Sequence, residues 1–163
     1  MQPSVSLIYG LSFLAVAIAF AFAVYLHLWV KRQPMKNKTI AEVSGLIKSG
    51  ANTFMRKEYK ILAVFAGVAA VLIFLFLPQG IWKGNWIENL SMALSYIAGT
   101  ILSAIAGKIG ILVATASNGR AAEAAQKGIK PAFMVGFRGG SVMGLAVVGF
   151  SLLGVAAVLL LTG

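Results

Sequence analysis

Four long apolar stretches, separated by shorter polar segments, make up most of this chain. They lie near residues 4–30, 61–77, 87–115 and 132–161. A helix needs roughly 20 mostly apolar residues to cross the hydrocarbon core of a bilayer, where backbone groups have no water to bond. The pattern therefore predicts an all-α membrane protein, with four transmembrane helices in a single transmembrane region over residues 1–163.

The positions of Lys and Arg predict how these helices are oriented. Segments 31–60 and 116–131 carry most of the 14 basic residues, whereas segment 78–86 carries only Lys83. Cytoplasmic loops of membrane proteins are enriched in Lys and Arg. We therefore predict cytoplasmic loops at 31–60 and 116–131, an outer loop at 78–86, and both ends of the chain outside.

Composition supports this class of protein and excludes others. The chain is 60% hydrophobic and 11% charged, with a mean hydropathy of +0.90, which no soluble single domain of this size matches. The enrichment of Lys and Arg in the predicted cytoplasmic loops explains the net charge of +10, so no nucleic-acid partner is needed to account for it. No basic segment precedes the first apolar stretch, so we interpret it as a retained helix and not a cleaved signal peptide. We expect an integral protein of a prokaryotic inner membrane.

Helix-start signals occur in both predicted cytoplasmic loops. Thr39 and Glu42 have the spacing of a capping box, which predicts an amphipathic cytoplasmic helix that extends span two. In the other loop, Asn118 is placed to cap a second short helix through residues 120–127, and Gly128 is placed to end it.

Small residues recur at every fourth position in spans three and four. Such residues allow helix backbones to approach closely, which stabilises helix pairs in lipid. We predict tight packing of membrane helices along these stripes; a flexible gate or a pore lining is the alternative. The predicted helix-packing residues are Gly99, Ser103, Gly107, Gly136, Gly140 and Gly144.

The residues themselves predict no catalytic, cofactor-binding or metal-binding site. The four acidic residues are all Glu, and the chain contains neither Asp nor Cys. Its single histidine, His27, lies in an apolar span. Metal cages and nucleophile–base pairs need several such groups in one place. The open alternatives are a non-enzymatic four-span membrane scaffold and a small dimeric transporter. Proton-coupled transporters need a membrane-embedded carboxylate, and none of these spans has one deep inside.

Two segments of the chain together resemble part of a known family of membrane proteins. The first is IKSGANTFMRKEYK at residues 47–60, preceded by Ile40-Ala41-Glu42. The second begins with ATASNGR at residues 114–120, continues through the alanine-rich run that follows, and ends with FRGGSVMG at 137–144. In sequence, order and topology, the two segments resemble the N-terminal part of membrane-integral, ion-translocating pyrophosphatases.

The resemblance implies the N-terminal portion of a pump that couples hydrolysis of magnesium pyrophosphate to movement of protons or sodium ions. In that family the first four spans belong to an outer ring of helices, and Asp, Glu and Lys residues of inner-ring helices bind the substrate. The motif that carries them does not occur in this chain, so we expect the segment alone to bind no Mg²⁺ and to be inactive. The implied partners are the lipid bilayer, the remaining helices of the parent pump, and a second full-length copy in a homodimer. Because the chain ends with span four, at residues 161–163, we expect a fragment or a truncated product.

Overall fold

The computed structural model describes residues 5–84 and 86–162, and within them it contains four long helices. These are α1 (Val5–Lys31), α2 (Lys38–Phe76), α3 (Trp86–Ala125) and α4 (Ile129–Thr162), with a short 3-10 turn at Ile81–Lys83. Each long helix is apolar enough to cross a membrane, which confirms the predicted all-α class with four spans. Residue 4 of the first predicted span and Asn85 of the predicted outer loop lie outside the described residues, as does Gly163 at the end of the predicted transmembrane region.

The connection between α1 and α2 is short, and its helix cap differs from the one predicted. The side chain of Asn37 accepts hydrogen bonds from the backbone N–H groups of Thr39 and Ile40, so Asn37 caps α2. The predicted cap at Thr39 is therefore wrong by two residues. Asn and Asp are at least as good as Thr at this position, because their side-chain oxygen reaches the same free donors. From there α2 continues without a break for 39 residues.

The predicted short helix after span three is not a separate element. Residues 116–125 continue α3 directly, and Asn118 lies inside the helix, so it is not a cap. An Asn costs a helix only a few tenths of a kcal/mol, about 0.7 at most, and the alanine-rich sequence after it favours helix. The helix ends at Ala125. Gly128 then turns the chain with a φ of +125°, a left-handed conformation that glycine adopts readily at helix ends.

The helices pack in the spatial order α1, α4, α3, α2. Both α1 and α3 contact α4, while among the described residues α2 packs mainly against α3, and it also contacts the short turn. The buried core is small and includes Ala23 and Leu26 of α1, Val113 of α3 and Val142 of α4. Much of the apolar surface is open, with Ile61 71% exposed and Val64 69% exposed on α2. Such surface suits a hydrocarbon environment or contact with further helices.

Candidate helix-packing surfaces and the basic end of the bundle

Helices α3 and α4 contact each other through small and β-branched residues. The spacing of the buried positions alternates between three and four residues, which keeps one stripe of a helix facing its neighbour along its whole length. On α4, which packs against both α1 and α3, these buried positions are Val135, Gly139, Val142, Ala146 and Gly149, and on α3 they are Ala106, Gly110, Val113 and Ser117. Gly139 faces α3, whereas Gly149 faces α1.

Glycines occupy the closest points of these contacts. A Cβ added at Gly139 would lie 2.5 Å from the Cβ of Ser117, and one added at Gly149 would lie 2.8 Å from a ring carbon of Phe20. Real carbon–carbon contacts lie at about 3.5–4.0 Å, so neither position has room for a side chain. The α3–α4 and α1–α4 distances therefore depend on glycine at these two positions.

Polar contacts hold α2 against α3. The hydroxyl of Tyr59 donates to the carbonyl of Ala104 at 2.8 Å, next to Gly107, where an added Cβ would lie 3.1 Å from that hydroxyl. At the other end, buried Asn89 donates to the carbonyls of Phe74 and Gln79 at 2.8 and 2.6 Å. These bonds join the end of α2 and the turn after it to the start of α3.

The six residues predicted to pack helices have different locations. Gly107 lies at the α2–α3 contact just described. Ser103 is exposed, and a Cβ added at Gly99 or at any of the three predicted α4 glycines would meet nothing within 4 Å. Together, Gly99, Ser103 and Gly107 line an open groove of about 690 Å³ between α3 and α4. Most of the predicted surface is thus unpartnered within the described residues, and its packing role stays a prediction.

Besides Gly107, five helix glycines that were not predicted to pack form close contacts, namely Gly110, Gly119, Gly139, Gly149 and Gly154. On α4, the pattern of small residues four apart selects Gly136, Gly140 and Gly144, and Gly140 lies one residue away from the contact glycine Gly139. One residue along a helix turns the stripe by about 100°, since there are 3.6 residues per turn. On α4, the small and β-branched residues that alternate in steps of four and three, from Val135 to Gly149, are the sequence signal for the contact face.

One end of the bundle, which we call the basic end, carries Lys31, Arg120 and Arg138. The Arg120 guanidinium donates to the carbonyl of Ala116 at 2.9 Å and reaches across from α3 to the carbonyl of Lys31 on α1 at 3.4 Å. The Arg138 guanidinium carbon lies 3.9 Å from the centre of the Trp29 ring, a cation–π contact between α4 and α1. Basic side chains therefore link three helices at this end.

The connecting segments meet at the same end. The Glu123 carboxylate accepts a hydrogen bond from the backbone N–H of Asn37 at 3.1 Å, so it joins the end of α3 to the residue that caps α2. Close by, a Cβ added at Gly119 would lie 2.8 Å from the Cβ of Ser44. These contacts hold the first turns of α2 against the last turns of α3.

The acidic residues do not assemble into a metal site. Within residues 5–84 and 86–162, no three His, Cys, Asp or Glu side chains are close enough to bind a metal ion. Glu42 and Glu58 are separated by about 24 Å along α2, and Glu88 and Glu123 by about 52 Å along α3, at 1.5 Å per residue. Within each of these helices, therefore, the two carboxylates are too far apart to bind one ion together, since Mg²⁺–oxygen distances are only about 2 Å.

Comparison with known proteins places this architecture in a family. The family model described as inorganic H+ pyrophosphatase matches residues 17–163. A K(+)-insensitive pyrophosphate-energized proton pump of Methanosarcina mazei is 35% identical over 150 residues, which is 92% of this chain and 21% of that protein. A K(+)-stimulated pyrophosphate-energized sodium pump of Thermotoga maritima is 38% identical over 156 residues, 94% of this chain and 20% of that protein.

A third relative matches the chain over its full length. The K(+)-insensitive pyrophosphate-energized proton pump of Caldanaerobacter subterraneus subsp. tengcongensis is 35% identical over 167 aligned positions, covering 100% of this chain and 23% of that pump. The chain thus spans about a fifth of the length of the curated relatives it matches. With four membrane-spanning helices and a family match over most of its length, the chain belongs to the inorganic H+ pyrophosphatase family.

Proposed function

We propose that this chain forms four helices of a longer membrane pyrophosphatase, which couples hydrolysis of inorganic pyrophosphate to translocation of protons or sodium ions. The single observation that carries the proposal is the match at 35% and 38% identity to a proton pump and a sodium pump, each about five times as long as the matched part. In the parent, other segments supply the catalytic groups and bind the Mg²⁺ that the reaction requires. The four helices alone are inactive.

The role we assign to these helices is to position the rest of the pump. The groove along Gly99, Ser103 and Gly107 and the exposed stripe of Gly136, Gly140 and Gly144 are surfaces on which another helix backbone fits closely. We assign the remaining helices of the parent to these surfaces, with the present four in its outer ring and the full-length protein a homodimer. The basic end faces the cytoplasm in this proposal.

The proposal is tested by expressing the chain alone, the remaining helices of the same pump alone, and both together as separate polypeptides. Magnesium-dependent pyrophosphate hydrolysis and pyrophosphate-driven ion uptake are measured in membrane vesicles. We expect activity only when both polypeptides are present. Hydrolysis by the chain alone would show that it has its own catalytic site, and full activity without the chain would show that the pump does not need these helices.

Matched glycine variants test the packing surfaces in the same experiment. Gly140→Leu places a large side chain on the exposed stripe of α4, whereas Gly45→Leu makes the same change on α2, where there is also open space. We expect Gly140→Leu to reduce both co-purification of the two polypeptides and their joint activity, and Gly45→Leu to reduce neither. Equal effects of the two variants would contradict the assignment of the α4 stripe to the remaining helices.

A further inference from the structure

A second groove differs from the one along Gly99 in its shape and in its lining. It lies between α1 and α3, where those helices separate, and α4 forms its floor. Its volume is about 400 Å³. The walls include Val24 of α1 and Leu112 of α3, the floor includes Ala146, and Phe20 and Phe150 lie at the end away from the basic residues.

The lining of this groove favours a flexible chain over a second helix. Close helix packing requires small residues along the contact, and here two aromatic rings, with centroids 4.8 Å apart, narrow one end. Leu112 and Val24 are exposed along the walls, where they leave a narrow apolar channel. A hydrocarbon tail fits such a channel because it bends around irregular side chains and needs no hydrogen-bond partner.

The other end of the groove is polar and positively charged. His27 lines it, Lys31 follows one turn later on the same face of α1, and Arg120 lies on the groove side of α3, seven residues after Val113. Arg120 crosses the gap between the two helices to reach the Lys31 carbonyl. Both acceptors of Arg120 are neutral carbonyls, so its positive charge is not balanced by them.

Unsatisfied polar atoms occur at the same place. The Nδ1 of His27 and the Nε of Arg120 are buried and lack hydrogen-bond partners. Buried polar atoms usually have partners, so orphans next to a groove indicate that the site is incomplete without a bound group. A phosphate diester supplies both the negative charge and the hydrogen-bond acceptors that this end lacks.

We propose that the α1–α3 groove is a binding site for one anionic phospholipid, with an acyl chain over Ala146 and the phosphate between Lys31 and Arg120. The charge at one end and the apolar channel leading from it match the two parts of such a lipid. The lipid would fill the groove where α1 and α3 separate. It would also fix the position of α1 on α4.

The test uses native mass spectrometry of the full chain in mild detergent, titrated with dioleoyl-phosphatidylglycerol or with dioleoyl-phosphatidylcholine. We expect one tightly bound phosphatidylglycerol and weaker binding of phosphatidylcholine. Lys31→Gln should weaken phosphatidylglycerol binding about fivefold, the effect of one basic side chain near an anionic headgroup, and leave phosphatidylcholine unchanged. Lys57→Gln removes an exposed charge from α2 and should change neither.

Lys31 is the chosen charge variant because it is exposed, so its substitution does not remove the structural bonds of Arg120. A second variant pair tests the channel. Val24→Trp fills the groove from a wall position that is 58% exposed, and Val64→Trp makes the same change on α2, at 69% exposed. We expect only Val24→Trp to abolish retention of the bound lipid.

Four outcomes would overturn the proposal. Equal binding of the two lipids, or equal loss in Lys31→Gln and Lys57→Gln, would show that the charge at this end is not specific. Unchanged retention in Val24→Trp would show that no tail occupies the groove. Displacement of phosphatidylglycerol by inorganic phosphate, without any effect of Val24→Trp, would identify a simple anion site.

Discussion

Replacement of Gly139 by Ala tests the helix contact on which the structure most depends. The new Cβ would lie 2.5 Å from the Ser117 Cβ, about 1 Å closer than carbon atoms normally approach. Ser117 is buried, and its hydroxyl donates to the Val113 carbonyl at 2.7 Å, so it has little freedom to move. Helices α3 and α4 must therefore separate locally, and overpacking of this kind costs about 1–3 kcal/mol.

Gly140→Ala is the matched control for this change. It lies one residue along α4, where an added Cβ meets nothing within 4 Å. Both variants gain the same helix propensity from the Gly-to-Ala change, up to about 1 kcal/mol, so that gain cancels in the comparison. The difference between the two free energies of unfolding therefore isolates the steric clash.

The assay is equilibrium unfolding of the full chain in mixed micelles with increasing denaturing detergent, followed by tryptophan fluorescence. We expect Gly139→Ala to be less stable than Gly140→Ala by about 1–3 kcal/mol. Adding Ser117→Gly removes the opposing Cβ and should restore most of the loss, which gives a double-mutant cycle for the pair. If Gly139→Ala is as stable as Gly140→Ala, the α3–α4 register described above is wrong.

Three further predictions concern the α2–α3 contact, which ties the outermost helix to the rest. Asn89→Leu should lower the free energy of unfolding by about 1–3 kcal/mol, because it removes the buried side chain that donates to two carbonyls, those of Phe74 and Gln79. Leu90→Ala at an exposed neighbour should change it by less than about 0.5 kcal/mol, and similar losses in the same unfolding assay would argue against the bonded role of Asn89. Tyr59→Phe should cost about 0.5–1.5 kcal/mol through loss of its bond to Ala104, measured in the same way, and an unchanged midpoint would show that this bond does not contribute. Because the chain has no Cys, the double variant Ser44→Cys and Gly119→Cys should form a disulfide on mild oxidation and resist labelling with a maleimide–polyethylene glycol reagent. The two Cβ atoms would start 2.8 Å apart, so the ends of α2 and α3 must move apart by about 1 Å to reach the roughly 3.5–4.5 Å of a disulfide. The pair Gly45→Cys and Gly119→Cys is its control, and equal protection of both pairs would contradict the position of α2.

The family and the number of helices were readable from the chain because both depend on local properties. Four apolar stretches of sufficient length predict four spans however the spans pack together, because each helix forms its own backbone hydrogen bonds in lipid. The segments at 47–60 and 114–144 carried the family resemblance, and the family match over residues 17–163 agrees with it.

Helix boundaries were less readable, because competing signals occur a few residues apart. Asn37 and Thr39 are both good caps, and the choice of Asn37 goes with a contact from another part of the chain, since its backbone N–H donates to Glu123. Asn118 looked like a cap in isolation, but α3 continues through it, with Ser117 and Gly119 buried against neighbouring helices on either side. Tertiary packing overrides such weak local preferences.

The identity of the packing glycines required the tertiary structure. Any glycine in a membrane helix allows close approach, but another helix must lie on the side that the glycine faces. Successive residues face directions about 100° apart around the helix axis, so adjacent glycines do not face the same neighbour. Gly139 is therefore indispensable in the α3–α4 contact while Gly140 faces open space. For the same reason, the meeting of Lys31 and Arg120 across the α1–α3 gap, 89 residues apart in the chain, has no signature in the sequence. Helix periodicity and hydropathy determine the elements, and only the arrangement of those elements around α4 determines which side chains meet.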